Sequence, residues 1–444
     1  MKRRLTGHVL NPEEALPVHE TQESKYKDKR RLSAFTLAIR CIGSVLLFIY
    51  LIYRTVNTSQ HQHSLLSYIP KANEQAVWEW PLVHIVNTRF MQEQGNLTAL
   101  AKARLALFQV FCLPTMRNQS TQQFLWIIKT DPNLDPDVLA ALAEELKPFP
   151  NFFLVASNNN FRINEDFPGA WRDGAEAQDL SRSLVYTGDQ ALLENAMAFH
   201  RATDPYPVIE TRLDSDDGLH LEYLKAVQDA AIDILKQPGN EEESRASWMY
   251  WCSRRHVEWH FAEKLQGNEA IWKQITTFGA FQGIQHKNLC ITPGITVGFG
   301  YGVSEKDVPV YGHHVLVDKI RETPNDEACG LPDHNDCLQF VEGFVFEAIR
   351  SRSPTSAGML KVDVNAHEVA TDAWLYFAYL NMVRDKFSIQ IQQLKWMNEY
   401  LSENLLKIAE DNLVGQCTTG HSCKDDAKAS LNALIASRVN STLS

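Results

Sequence analysis

The chain has no excess of basic residues. Lys and Arg number 43 against 54 Asp and Glu in 444 residues, a formal net charge of −11. A sequence-wide electrostatic footprint for nucleic acid is therefore excluded. Cysteine is scarce, with eight in all and no C-x-x-C pair, so the usual spacing of a zinc site is missing. No internal repeat is present. What remains is a globular balance, 44% apolar and 22% charged, which is neither disordered nor fibrous. Length over ~150 residues suggests two to three units, and 21 Phe with 10 Trp can fill a sizeable core.

Long apolar runs are few, and the one from Leu32 to Tyr53 stands apart. Its 22 residues include 17 apolar side chains, and a bilayer span needs about 20. Arg40 within it costs roughly 2.5–3.5 kcal/mol on insertion scales, which Leu46, Leu47, Phe48, Ile49, Leu51 and Ile52 outweigh. Lys25, Lys27, Lys29, Arg30 and Arg31 precede the run and only Arg54 follows closely. The positive-inside bias then predicts a single-pass type II protein with everything after Tyr53 on the lumenal side. A cleaved signal peptide is disfavoured because the preceding segment is long and no small-residue cleavage site follows. Asn-x-Ser/Thr sites at Asn57, Asn96, Asn118 and Asn440 all fall on the lumenal side. In that oxidising compartment Cys329–Cys337, Cys417–Cys423 and Cys252–Cys290 are candidate disulfides, leaving Cys112 unpaired.

This layout divides the chain into a cytosolic tail (1–31), a signal anchor (32–53), a stem (54–80), a catalytic body (81–369) and a helical C-terminal extension (370–444). The anchor and stem suggest a Golgi or endoplasmic reticulum membrane. Within the body, strands are expected at 83–90, 124–130, 152–155 and 207–213, with helices at 97–112, 139–146 and 221–234 between them. Pro114 is expected to end the first helix. Strands alternating with helices predict an α/β fold whose ligands lie beyond the carboxyl ends of the strands. In the C-terminal extension Trp374, Phe377, Leu380, Val383, Phe387 and Ile391 form an apolar stripe expected to be packing surface.

Asp214-Ser215-Asp216-Asp217 gathers three carboxylates at the end of a strand. Such crowding is costly unless a cation or hydrogen bonds offset it. Hard divalent ions take carboxylate oxygens, and Mg²⁺ or Mn²⁺ bridges a few of them to phosphates. An EF-hand is excluded, because counting from Asp214 the glycine falls fifth and Lys225 is twelfth. The structural alternative is a solvated turn in which Asp217 caps the next helix.

Four segments follow one another in order: Val86 to Phe90, Phe111 to Thr115, Gln119 to Trp126, and Thr211-Arg212-Leu213-Asp214-Ser215-Asp216-Asp217-Gly218-Leu219. Together they resemble the rhamnosyltransferase-type family, a divergent branch of GT-A-type nucleotide-sugar glycosyltransferases. The resemblance spans roughly residues 82–320. It implies a GT-A-like mixed sheet flanked by helices, a nucleotide-sugar donor, and a glycan or glycoconjugate acceptor. It also implies a D-x-D pair, Asp214 and Asp216, facing Mn²⁺ or Mg²⁺, with Asp217 a ligand or close partner. Thr88, Arg89 and Asp131 would line the donor pocket. Each is equally readable as a strand-end residue in a structural role, as is Arg212. His313 or His314 would complete the metal sphere.

Two further stretches are polar or glycine-rich. Gly294 to Gly302 is not a dinucleotide fingerprint, since no helix follows it, and is expected to be a flexible loop beside the cleft. Arg350 to Gly358 reads as a polar loop in which Arg350, Arg352 and several hydroxyls, Ser351 among them, either grip the donor diphosphate or face solvent. A general base for the acceptor hydroxyl has candidates in His256, Glu258, His260 and Asp318, which the sequence does not rank. A phosphoesterase using the same Asp cluster would need a second spaced ligand set, and none is seen. A lumenal binding protein with a structural Asp turn is the non-enzymatic alternative.

Overall fold

The computed structural model describes residues 78–157, 183–239, 245–262, 270–322, 329–356 and 373–418, together with 171–172, 180, 370 and 432. The expected anchor at 32–53, nearly all of the stem and the Cys417–Cys423 pairing lie outside the described residues. The described residues belong to one compact unit.

Twelve strands form two sheets. Their ranges are β1 Val83–Phe90, β2 Leu125–Thr130, β3 Phe152–Ala156, β4 Leu184–Val185, β5 Val208–Arg212, β6 Gly218–Leu219, β7 Trp248–Cys252, β8 Arg255–His260, β9 Ala280–Gln285, β10 Thr296–Phe299, β11 Leu338–Phe340 and β12 Ala348–Arg352. The large sheet has the order β11-β7-β10-β5-β1-β2-β3-β4 and the small one β6-β12-β8-β9. The protein is thus a mixed α/β structure with a large mixed sheet. β5, β1, β2 and β3 run parallel at its centre, while β10 runs antiparallel between β5 and β7. Strands β1 and β2 are almost wholly buried, which is why both read as near-continuous apolar runs.

The helices are α1 Thr98–Leu107, α2 Leu113–Arg117, α3 Pro136–Leu146, α4 Gln190–Met197, α5 Tyr223–Ile234, α6 Ala270–Phe278, α7 Leu316–Glu322, α8 Ala373–Phe387 and α9 Ile391–Thr418. Between α1 and α2 the chain makes one wide π turn, Phe108–Cys112. The expectation that Pro114 ends this helix is corrected. The Leu113 N–H reaches back to the Phe108 carbonyl, and the wider turn lets the helix continue through the proline. The stretch Thr98–Arg117 is long and apolar enough to cross a membrane, yet most of it is buried inside the fold. Phe108 packs on Phe90 and Trp126 of the large sheet, with ring centroids 6.1 and 5.5 Å away, and Phe111 lies 5.3 Å from Trp259 of the small one. One helix therefore serves both sheets.

The C-terminal helices are integral rather than appended. The N-cap of α1, Leu97, offers no side-chain oxygen. Asp411 of α9 supplies one instead, accepting from the Ala99 and Leu100 N–H groups at 2.8 and 3.2 Å. Asn398 donates to the Ala262 and Thr276 carbonyls, and Asn412 to those of Pro354 and Ser356. In α8 the buried face is Tyr376, Leu380, Val383 and Phe387. Trp374 and Phe377, expected to pack, are 79% and 49% exposed. Tyr376 takes the inward place because its hydroxyl reaches the Gly279 carbonyl at 2.7 Å.

The stretch from Gly294 to Gly302 is not a loop beside the cleft, since Thr296–Phe299 form β10 in the middle of the large sheet. A Cβ at Gly298 would lie 2.7 Å from the Trp251 ring, so the glycine makes room for that indole. Disulfides join Cys252 to Cys290 and Cys329 to Cys337, and Cys112 is free and buried.

Candidate functional site

The chain builds β1, β2 and β3 outward in one direction and then places β5 on the other side of β1. Such a reversal opens a crevice at the carboxyl ends of the two strands where ordering switches. β1 ends there with Arg89 and Phe90, and β5 ends there with Arg212. The Leu213 N–H donates to the Asn87 carbonyl at 3.0 Å, so the chain leaves β5 still tied to β1. It then turns at once. The Asp217 N–H donates to the Asp214 carbonyl at 3.1 Å, closing a four-residue turn that holds all three carboxylates. The acidic turn therefore stands at the switch point.

Gly218 carries the chain from this turn into the small sheet. A Cβ there would meet Thr115 Cγ2 at 2.8 Å and the Phe111 carbonyl at 2.9 Å, so only glycine lets the turn sit against the π turn. The expected alternative for Asp217, a cap on the next helix, is not what forms. Asp217 Oδ1 accepts the Ser351 N–H of β12 at 3.0 Å, and its Oδ2 lies 3.8 Å from Arg350 Nε. The Ser351 hydroxyl donates to Asp216 Oδ2 at 3.3 Å. Asp214 pairs with Arg212 at 3.3 Å.

The electrostatics separate the three acids. Burial would push each carboxyl up. For Asp214 that push is overcome by Arg212, then Arg350 and Arg89, which hold it below the usual carboxylate range. Asp216 is raised by burial and then by the charge of Asp214, with Arg104 opposing. Asp217 is raised well above its ordinary value by burial and then by Asp216, against the pull of Arg350. The same field and burial push the Cys112 thiol up, burial first and then Asp217, Asp216 and Asp214. A buried Cys112 with a raised thiol is not a nucleophile.

The residues expected in the donor pocket divide. Arg89 and Arg212 are gathered with Asp214. Thr88 is 1% exposed, and its hydroxyl accepts from the Trp126 indole N–H at 2.8 Å, a core role. Asp131 at the end of β2 accepts the Asn133 N–H at 2.7 Å and shapes its own turn. Residues 348–352 form strand β12, not a loop, and Arg352 engages Glu258 of β8 through Nε at 2.8 Å and through Nη2. His313 and His314 sit just before α7 and follow β10, which leaves the large sheet at the edge where β5 begins. Among the described residues no three His, Cys, Asp or Glu side chains gather as a metal centre.

Sequence reasoning gave Arg104 no role at the site and placed Ser351 only among the hydroxyls of an expected loop. Arg104 lies on α1, donates to Gln94 Oε1 at 2.7 Å and to the Thr355 carbonyl at 3.4 Å, and faces Asp216 and Asp214. Its one sequence signal is a charged side chain on an otherwise apolar helix face.

Residues 98–179 match the family model described as "Putative rhamnosyl transferase". That match supports a rhamnosyltransferase-type glycosyltransferase. It covers α1 to β3 and ends before the acidic turn. Among solved structures the chain is similar to one described as "Crystal structure of S. aureus TarS", at 11% identity and a TM-score of 0.23, over 78% of this chain and 50% of that one. The chain thus spans half the length of that protein. No curated protein matches in sequence.

Proposed function

We propose that this protein is a membrane-anchored glycosyltransferase of GT-A-like fold. It moves a sugar from a nucleotide diphosphate to a hydroxyl of a glycan or glycoconjugate, on the lumenal side of the Golgi or endoplasmic reticulum. One observation carries the reading. Asp214 and Asp216 stand at the sheet's switch point, ringed by Arg89, Arg104, Arg212 and Arg350. Acids that repel one another beside several guanidinium groups suit a ligand bearing both a cation and phosphate oxygens.

Mn²⁺ or Mg²⁺ fits this donor set. Asp216 is destabilised as an anion by burial and by Asp214, so a cation relieves it, and Mg²⁺ needs only one or two carboxylates beside phosphates and waters. Asp214 and Asp216 would hold it, whereas Asp217 is committed to Ser351 and Arg350. Bound there, such an ion would supply positive charge to offset that of the departing diphosphate. Arg89 and Arg212 orient the phosphates, and Ser351 fixes the Asp216 carboxylate. The lumenal setting is supported by the two disulfides and by the exposure of Asn96 and Asn118, the two described glycosylation sites.

The test is a screen of the full chain in detergent against UDP-, GDP- and dTDP-sugars with Mn²⁺. Metal-dependent release of free nucleotide is the expected result. Hydrolysis of a simple phosphate ester would instead select a phosphoesterase, and neither reaction would select a binding protein.

A further inference from the structure

The small sheet brings a second polar cluster beside the acidic turn. β12 pairs with β6 through Ile349 and Gly218, so the next step of that register sets Arg350 against Asp217. On its other side Arg350 registers with Glu258, and Glu258 with Gln282 of β9. Asp217, Arg350, Glu258 and Gln282 thus form one transverse row. Strand spacing puts the backbones of Asp217 and Glu258 about 10 Å apart.

Side chains two apart on a strand share a face, so His256, Glu258 and His260 project together, with Arg352 beside them. Glu258 is 6% exposed. Its carboxylate meets Arg352, His256 Nε2 at 3.4 Å and His260 Nε2 at 3.4 Å, and these partners hold it far below the usual carboxylate range despite burial. One arginine already neutralises this acid, so two imidazoles exceed what folding requires. His256 Nδ1 is buried without a hydrogen-bond partner, whereas His260 Nε2 is buried against the Glu258 carboxylate at 3.4 Å. Of the two rings, His256 is closed off and His260 keeps 19% of its side chain exposed.

We infer that His260 is the general base for the acceptor hydroxyl, with Glu258 as its positioning residue. The inference rests on the transferase reading. With Nε2 turned to Glu258, His260 presents Nδ1 to the acceptor. The hydroxyl oxygen attacks the anomeric carbon of the donor and a new C–O bond forms. The bond from that carbon to the phosphate oxygen breaks, and its electron pair leaves with the nucleoside diphosphate. The hydroxyl proton passes to His260 Nδ1, and the Glu258 carboxylate stabilises the imidazolium. A base on the acceptor side makes this a single displacement, so the anomeric configuration inverts. A carboxylate held as firmly as Glu258 is a weak base, and Asp318 is exposed on α7, a helix that packs against His334–Cys337.

The test uses the full chain in detergent with whichever UDP-, GDP- or dTDP-sugar it turns over. His260→Ala is expected to lower kcat by about 10²–10⁴-fold. Donor affinity should stay within twofold and the thermal midpoint unchanged. Added imidazole should restore part of the rate, and the wild-type product should carry the inverted anomer by NMR. Glu258→Gln should lower kcat with the donor dissociation constant unchanged. Transfer by His260→Ala within threefold of wild type, or a retained anomer, overturns the assignment while leaving the transferase reading intact. A wild-type chain that binds no nucleotide sugar overturns both.

Discussion

The backbone N–H of Ser351 donates to Asp217 Oδ1 at 3.0 Å, joining residues 134 positions apart in the chain. This bond locks the acidic turn of the large sheet to β12 of the small one. Asp217 is thus a structural member of the acid cluster, and the proposed ligand contacts fall to Asp214 and Asp216. Asp217→Ala strands a buried N–H and should cost about 1–3 kcal/mol, whereas Asp217→Asn keeps an acceptor and should cost less. Urea unfolding of the two variants separates them, and equal losses would show that the bond does not hold the turn.

Asp411 caps α1 from the other end of the chain. Asp411→Ala should lose about 0.5–2 kcal/mol, the usual worth of such a cap. Because α1 also carries Arg104, donor affinity should fall in the same variant. Denaturant titration and nucleotide binding read the two effects separately.

The parallel part of the large sheet, β5, β1, β2 and β3, was legible in the sequence because these strands are buried on both faces. Val83–Phe90 and Leu125–Thr130 therefore read as apolar runs with polar ends. The acidic turn was legible for a related reason, since three adjacent carboxylates need compensation wherever they lie. What compensates them was hidden. Ser351 and Arg350 arrive from about 135 residues downstream, on a strand whose side chains bind carboxylates instead of forming an apolar face, so β12 read as a loop. Arg104 was masked by the hydrophobic helix around it. β10 was masked by Gly298, which yields its volume to Trp251, and by the glycines on either side of the strand. The passage of a helix through Pro114 depends on a π turn, for which no residue type is a signature.

His84 makes stability depend on pH. Its ring nitrogens meet Thr211 Oγ1 at 2.8 Å and Gln228 Nε2 at 3.1 Å, and burial lowers its pKa to about 3. Between that value and the unfolded value near 6.5, the unfolded chain binds a proton that the native chain does not. Stability therefore rises with pH across this window and is lost as pH falls. His84→Gln should reduce that slope by about 1.4 kcal/mol per pH unit. Unfolding free energies measured from pH 4 to 7 check this, and an unchanged slope would count against a buried neutral imidazole.

Cys252 and Cys290 close a loop with a sequence separation of 38. Chain entropy assigns such a crosslink about 4 kcal/mol. Cys252→Ser with Cys290→Ser should unfold at clearly lower denaturant than the parent, and a reducing agent should shift the parent more than the double variant, which keeps only Cys329–Cys337 of the two pairs. No shift on reduction would argue against an oxidised pair.

The most direct measurement is calorimetric titration of the full chain with the nucleotide sugar it turns over, with and without Mn²⁺, for wild type and Asp216→Asn. The account predicts metal-dependent binding by wild type, and at least a tenfold weaker affinity in the variant at an unchanged thermal midpoint. Equal, metal-independent binding by both proteins would contradict the role given to the acidic turn.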